Sequence, residues 1–551
     1  MALTLFTLSS LEKVFPDGRG VDAPAPELCM LKGESLSFQL ALKYVPLENE
    51  MRYKAAFVKL ESDLNVPLTA RLVKNVPVHH PRPEDTADEN YLSLEPGMYP
   101  DVLSPLENSP AVLFHNEWQS IWLEIEGTEE MAAGEYPIVI RLADHLGEEY
   151  LKVEVKVTVL NAVLPRQTIA HTEWFHSDCL ADYYQVPAFS EKHWEIVENF
   201  VRTAVKRGCN MLLTPHFTQA LDTYIGGERT TVQLVDVTVD KGEYSFEFSK
   251  LKRWIDMALD CGMEWIEMAH LFTQWGATAA PKVMATVDGE YKRIFGWDTP
   301  SVGGEYTRFL RVYLPQLVEK LKEWGVEKRC YFHISDEPND QQLAGYKAAK
   351  ESIADLIEGF PIMDAMSHYE IYEQSGITPP VVSERHLDIF LEHKVSPLWD
   401  YYCCGPTQVM TNRFIVMPLA RTRALGLQLW KYNLQGFLHW GYNFYNTVWS
   451  LAHINPYQDT ESAGAFPPGD AFLVYPGPGG KPEESIRIIA MHEAMQDARA
   501  LQLLEKLIGR EKAMAVLEAE GEVTLEKYPW DSDSMLRTRA RINAAIAEAI
   551  A

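Results

Sequence analysis

Residues 331–338 read Tyr-Phe-His-Ile-Ser-Asp-Glu-Pro, an apolar run that ends on two adjacent carboxylates, Asp336 and Glu337. Carboxylates are costly to place at the end of a buried strand unless they are solvated or used. Capping the next helix is the structural alternative, but Asn339 or Asp340 does that equally well, so capping does not require the pair. Two like charges held close raise one of the two pKa values, and partial burial does the same. One group then stays protonated near neutrality while the other is ionised. Such a pair suits cleavage of a glycosidic bond, where an acid protonates the leaving oxygen.

A pair of this kind needs an architecture whose strand ends converge. From about residue 168, short apolar strands alternate with longer amphipathic helices, the rhythm of parallel βαβ units. Strand candidates begin at Ile169, Asn210, Glu264, Cys330, Phe360, Pro380, Ser396 and Gly436, which is the number that closes a barrel. In the helix from Glu305, residues Tyr306, Leu310, Leu314, Leu317 and Leu321 share one face, and Pro315 predicts a kink or a broken start. An open doubly wound sheet is the competitor, but no Gly-rich phosphate loop supports it.

Upstream, Leu36, Phe38, Leu40, Leu42 and Tyr44 alternate with polar or small neighbours, as do Ile121, Leu123 and Ile125, and Leu151 through Val159. Leu3, Leu5 and Thr7 read as part of a first strand. Period-two alternation marks strands with one buried face. The Pro- and Gly-rich stretch Pro81 to Pro105 breaks these strands, and Asn161 to Pro165 reads as a linker. The expected fold is α/β: an N-terminal β-sandwich (1–162), a (β/α)8 TIM-type barrel (166–455), and a C-terminal strand and helices packed on the barrel (456–551).

In such a barrel the loops at the carboxyl ends of the strands build the active site. The residues there are His171, Trp174 and His176, then His216, then His270 and Trp275, then His333. Asp364 and His368, Asp400, Tyr401 and Tyr402, and Trp440, Tyr442 and Asn443 complete the ring. From these, His216, His270, Trp275, His333, Tyr401, Trp440, Tyr442 and Asn443 are the candidate substrate contacts. Any one of them reads equally well as core; their convergence carries the argument. The histidines lack a helical H-x-x-x-H arrangement, so no metal is expected, and no cofactor motif is present. The absence of G-x-S-x-G argues against a serine esterase of the α/β-hydrolase type.

Composition narrows the partners. Lys plus Arg number 50 against 78 Asp plus Glu, a net charge of -28. A chain this acidic repels phosphate backbones and anionic lipid, so neither nucleic acid nor membrane is an expected partner. The 14 Trp and 25 Tyr suit the apolar faces of sugars, pointing to an oligosaccharide or glycoconjugate. The 7 Cys show no C-x-x-C pair, and adjacent Cys403 and Cys404 are expected in a reduced interior. The amino terminus lacks the basic and apolar regions of a secretory signal, and no apolar run nears the ~20 residues of a membrane span. A cytoplasmic location is the expectation.

The segment 331–338 resembles the catalytic strand of glycoside hydrolase family 123, the N-acetyl-β-galactosaminidases. Gly436-Phe-Leu-His-Trp-Gly-Tyr-Asn, Gly469-Asp470, Tyr475-Pro-Gly, Ser485-Ile-Arg487, and Glu493 through Asp497 to Leu504 are similar to the same family's pattern. The likeness spans roughly residues 170 to 505. It implies a retaining, substrate-assisted mechanism in which the sugar's 2-acetamido oxygen attacks the anomeric carbon, an exception to the two-carboxylate scheme. Glu337 is then general acid and later base, while Asp336 orients the acetamido N–H and stabilises its developing charge. Because neighbours on a regular strand point to opposite faces, the strand must end or twist at Asp336. Two other readings stay open. One pairs Glu337 with a distant Asp400, Asp364 or Glu267; the other is a carbohydrate-binding relative without catalysis.

Overall fold

The computed structural model describes residues 2–551 apart from 49, 82–85 and 108. Met1 of the expected first strand, and residues 82–85 of the Pro-rich stretch, therefore lie outside the described residues. The alternating segments near the amino terminus form two sheets of seven and five strands. Phe38, Leu40, Leu42, Ile121, Leu123 and Ile125 from one meet Ile138, Ile140, Leu142, Val157 and Val159 from the other in a single apolar core. Two sheets with facing apolar sides bury their alternating residues in this way.

The seven-stranded sheet is not made from the amino-terminal segment alone. Strands Val474–Pro476 and Pro482–Ser485 extend it, with Glu484 opposite Leu103 and Ser485 opposite Val102. The C-terminal strand expected within 456–551 thus lies at the first sheet's edge. A buried ion cluster welds this junction, since Arg207 and Arg71 each pair with both Glu124 and Glu484. Next, Ser485 caps helix Ile486–Ile508 by accepting from Ile488 N at 3.1 Å. Helices Arg510–Leu517 and Ser532–Ile550 follow.

Between them lies an eight-stranded parallel sheet. Its strands are, in chain order, Ala170–Glu173, Met211–Thr214, Trp265–Met268, Cys330–Phe332, Asp364–Ala365, Pro380–Ser383, Trp399–Tyr401 and Gly436–His439. Each falls within an expected strand segment. The sheet is curled, and an isolated parallel bridge joins Phe332 on one edge strand to Ile362, two residues before the other. Alternation sorts the side chains into two sets. Ala170, Met211, Leu213, Met363, Ala365, Val381, Trp399, Tyr401 and Leu438 form an inner cluster. Leu212, Ile266, Phe332, Val382 and Phe437 join the outer core with the helices. Gly436, opposite Trp399, is required here because a Cβ would overlap the indole ring.

The helix Glu305–Glu323 buries Tyr306, Leu310, Leu314, Leu317 and Leu321 completely, as its periodicity predicts. It runs through Pro315, so the start is not broken there. A four-stranded sheet (Asp236–Asp240, Glu243–Glu247, Val283–Val287, Glu290–Phe295) was not anticipated. No described helix is long and apolar enough to cross a membrane.

Candidate active site

The fourth strand ends at Phe332, and beyond it the backbone is held by the loop after the third. Leu271 N donates to His333 O at 3.1 Å, Phe272 N to Ile334 O at 3.0 Å, and Trp275 N to Asp336 O at 3.0 Å. Glu337 then takes a φ of 41°, a left-handed value that is rare for a residue with a Cβ and harder still before Pro338. Strain of this kind persists where the surroundings over-determine it, typically at functional sites. The turn supplies the twist that the two acids require, so they need not face opposite ways.

Asp336 is half-buried and Glu337 exposed. Tyr401, from the seventh strand, donates its hydroxyl to Glu337 Oε1 at 2.5 Å, and Ser367 Oγ lies 3.2 Å from the same hydroxyl. Burial pushes the Asp336 carboxyl well above the ordinary carboxylate range; neighbouring Glu337 and then Asp364 add to it, and cationic His333 offsets a part. The acid pair therefore retains a proton at pH values where a solvated Asp would have lost it.

Beneath the pair, His333 is fully buried between two carboxylates. Its Nδ1 is 2.9 Å from Asp364 Oδ1 and its Nε2 2.6 Å from Glu267 Oε1. Burial opposes the charge, but the bonds to Asp364 and Glu267 outweigh it and push His333 up to about 9. Glu267 also accepts from Trp174 Nε1 at 2.7 Å and Thr172 Oγ1 at 2.5 Å, and Asp364 from Tyr346 Oη at 2.6 Å. His270 stacks on His333 with ring centres 4.2 Å apart. It is buried, yet among the described residues neither of its ring nitrogens has a partner. Burial, then the charge of His333, holds His270 well below its usual pKa, so it is neutral and offers one donor and one acceptor.

His270, His333 and Asp364 lie close enough to share an ion. Both nitrogens of His333 are committed to carboxylates, however, which leaves no lone pair for a metal. The geometry favours a hydrogen-bonded imidazolium.

Of the other candidates, Trp275 is 44% exposed at the rim, with a φ of 57°. Trp440 is half-buried and donates Nε1 to Asp470 Oδ2 at 3.0 Å. Three expected contacts are buried on protein partners. His216 lies fully buried with Nδ1 on Tyr313 and Nε2 on Ala269 O. Tyr442 donates to Phe200 O in the outer core, and Asn443 holds both backbone groups of His176. With their polar atoms spent on protein, all three shape the strand ends and present nothing to a ligand.

Sequence reasoning missed Arg413, which lies after the seventh strand. It is fully buried, grips both oxygens of Glu173, and reaches His439 Nδ1 at 2.6 Å. His439 passes the link to Asp470 and hence to Trp440. A large cavity of about 890 Å³ lies elsewhere, between the amino-terminal strands and the last helix, lined by Glu12, Glu34, Glu493 and Arg539. Its arginines are paired with its own acids, so the convergence of strand ends is the better guide to chemistry.

Asp400 alternates with Tyr401 and so takes the opposite face of the sheet. Both of its oxygens are buried without a partner. Burial and then nearby Glu384 push it well above its usual range, while burial pushes Glu384 up to about 8. The folded chain thus holds protons here that the unfolded chain releases, and stability falls as pH rises from about 4.5 to about 8. Glu384→Gln is expected to melt above the wild type at pH 8, by on the order of 2 kcal/mol, and the gap should close toward pH 4.5. Thermal melts across that range check this; a pH-independent difference would rule it out.

A strained turn carrying two acids at the end of a parallel strand, held by a tyrosine and floored by a buried histidine between two carboxylates, makes a candidate acid site. The catalytic-domain model of glycoside hydrolase 123 matches residues 174–504, and the chain belongs to that family. A family 123 glycoside hydrolase from Clostridium perfringens, described for glycolipid glycan hydrolysis, has a similar solved structure. The TM-score is 0.73 at 16% identity, covering 100% of this chain and 98% of that one. The β-glucuronidase of Parabacteroides merdae aligns at a TM-score of only 0.30 with 10% identity, over 91% of this chain and 52% of its own. None of the curated proteins matches.

Proposed function

We propose that this chain removes terminal β-linked 2-acetamido sugars, N-acetylgalactosamine foremost, from a glycoconjugate by a retaining, substrate-assisted mechanism. The curled sheet acts as a (β/α)8 barrel with Asp336 and Glu337 at its mouth. The observation that carries the reading is the fate of the other carboxylates. A conventional retaining enzyme needs a free carboxylate opposite its acid. Glu267 is saturated by Thr172, Trp174 and His333; Asp364 is taken by His333 and Tyr346; Asp400 lies on the outer face. With those three engaged or turned away, we favour the nucleophile that the family resemblance implies, the sugar's own acetamido oxygen.

In the free protein burial raises the Asp336 carboxyl and so favours its protonated form. An acetamido N–H donated to Asp336 favours its anion and transfers the proton to Glu337, which is where the leaving oxygen needs it. His270 offers its unclaimed nitrogens to sugar hydroxyls, and Trp275 and Trp440 offer ring faces. The class named for the Clostridium perfringens relative, glycolipid glycans, is the first natural substrate to assay.

A panel of nitrophenyl glycosides tests the proposal. Hydrolysis of the N-acetyl-β-galactosaminide should exceed that of the plain β-galactoside by at least about 1,000-fold, the loss of a built-in nucleophile. A thiazoline mimic of the cyclic intermediate should inhibit competitively. Equal cleavage of both glycosides would mean that the nucleophile belongs to the protein.

A further inference from the structure

Cys403 and Cys404 are adjacent, half-buried, and lie in a bend that begins two residues after Tyr401, outside any helix or strand. Cys403 packs against the inner cluster that contains Tyr401, alongside Trp440. Its backbone is pinned by Cys403 N donating to Gly405 O at 3.0 Å and by Asn412 Nδ2 donating to Cys403 O at 3.0 Å. Cys404 Sγ donates to Asp470 Oδ2 at 3.3 Å, the same oxygen that accepts from Trp440 Nε1. One thiol therefore sits beside the tyrosine that holds Glu337, and the other on the carboxylate that holds Trp440. The remaining five cysteines are free and scattered.

We propose that Cys403 and Cys404 form a redox modification site, closed to a vicinal disulfide by a hydroperoxide and reopened by a dithiol, whose closure disarms the acid pair. Only the loss of turnover rests on the function proposed above; the covalent step stands apart from it. In that step one thiolate attacks a peroxide oxygen, breaks the O–O bond and becomes a sulfenic acid. The second thiol attacks that sulfur, forms the S–S bond and expels water. Two electrons pass from the sulfurs to the peroxide; one thiol proton ends on the alcohol or water that leaves the peroxide, and the other in the water expelled from the sulfenic acid.

The geometry sets the consequences. Adjacent Cα atoms lie ~3.8 Å apart across a trans peptide, shorter than the separation that relaxed disulfides span. Closure is therefore strained, which makes the bond easily reduced and suits a reversible device. It also takes Cys404 away from Asp470 and bends the chain that follows Tyr401. Tyr401 reaches Glu337 through one hydrogen bond, and a shift near ~1 Å in such a contact costs turnover roughly 100-fold.

The test treats the full chain with hydrogen peroxide, alkylates it, and reads intact and peptide masses before and after dithiothreitol. The expected result is loss of two hydrogens in the peptide carrying both cysteines, and two fewer of the seven thiols open to alkylation. Dithiothreitol should reverse both changes. On the N-acetyl-β-galactosaminide, turnover should fall at least about tenfold with closure and return on reduction. Cys404→Ser keeps a donor for Asp470 and should gain oxygen on Cys403 without forming a disulfide. Both cysteines fully alkylated after peroxide would overturn the site. A disulfide that leaves the turnover of a cleaved substrate unchanged would overturn the disarming. If no glycoside is cleaved by the reduced protein, the function proposal fails while the masses, with tryptophan fluorescence reporting on Trp440, still decide this one.

Discussion

Glu337→Gln is expected to lower kcat on a nitrophenyl N-acetyl-β-galactosaminide by about 1,000-fold or more, with little change in KM. General acid–base groups contribute roughly 10²–10⁴-fold when positioned on the proton they transfer. The substitution is nearly isosteric, and the amide oxygen can still accept from Tyr401, so the φ of 41° and the turn should survive. Melting temperatures of the two proteins should therefore agree. The loss in kcat/KM, which reports the first step, should shrink for leaving groups that depart without help: a dinitrophenyl glycoside needs little protonation, so that step is spared while opening of the cyclic intermediate remains slow. A burst of phenol followed by a slow phase is the expected trace. An equal loss across leaving groups of different acidity would place Glu337 outside the proton transfer.

Much of this site was legible in the sequence because strand-end position is a coarse signal that survives errors of a residue or two. The eight apolar segments fixed which loops converge, and Asp336 and Glu337 stood where a strand gives way to a proline. The limits were those of a pattern with no third dimension. His216, Tyr442 and Asn443 also end strands, but whether a polar side chain faces a ligand depends on partners hundreds of residues away or on another element's backbone. Arg413 carried no periodic or motif signal, and its importance appears only once Glu173 and His439 are beside it. The one C-terminal strand reads as packed on the barrel because edge pairing across more than 300 residues, Glu484 with Leu103, leaves no trace in local alternation. The small four-stranded sheet was more accessible. Lys241-Gly242 and Asp288-Gly289 both take positive φ at tight hairpin turns, and Asp-Gly between alternating residues is a recognisable hairpin signal.

Asp336 offers the sharper discrimination between mechanisms. Asp336→Asn removes the anion that orients the acetamido group, and a loss of about 10²–10³-fold in kcat is expected, the scale seen when one electrostatic contact to a developing charge is deleted. The pH profile carries the sign. In the wild type, burial and the neighbouring carboxyl keep a proton on the pair above the ordinary carboxylate range, so the alkaline limb of kcat/KM lies high. With Asn in place of Asp336 that raised carboxyl is gone, and the alkaline limb moves to lower pH. Fluorinated acetamido substrates add a second measure. Each fluorine weakens the acetamido oxygen as a nucleophile, so the wild-type rate should fall steeply along the series. A protein using Asp400, Asp364 or Glu267 as nucleophile would be insensitive to that series and would tolerate Asp336→Asn with its limb unmoved. The buried, partnered or outward positions of those three carboxylates make the steep dependence the expected result.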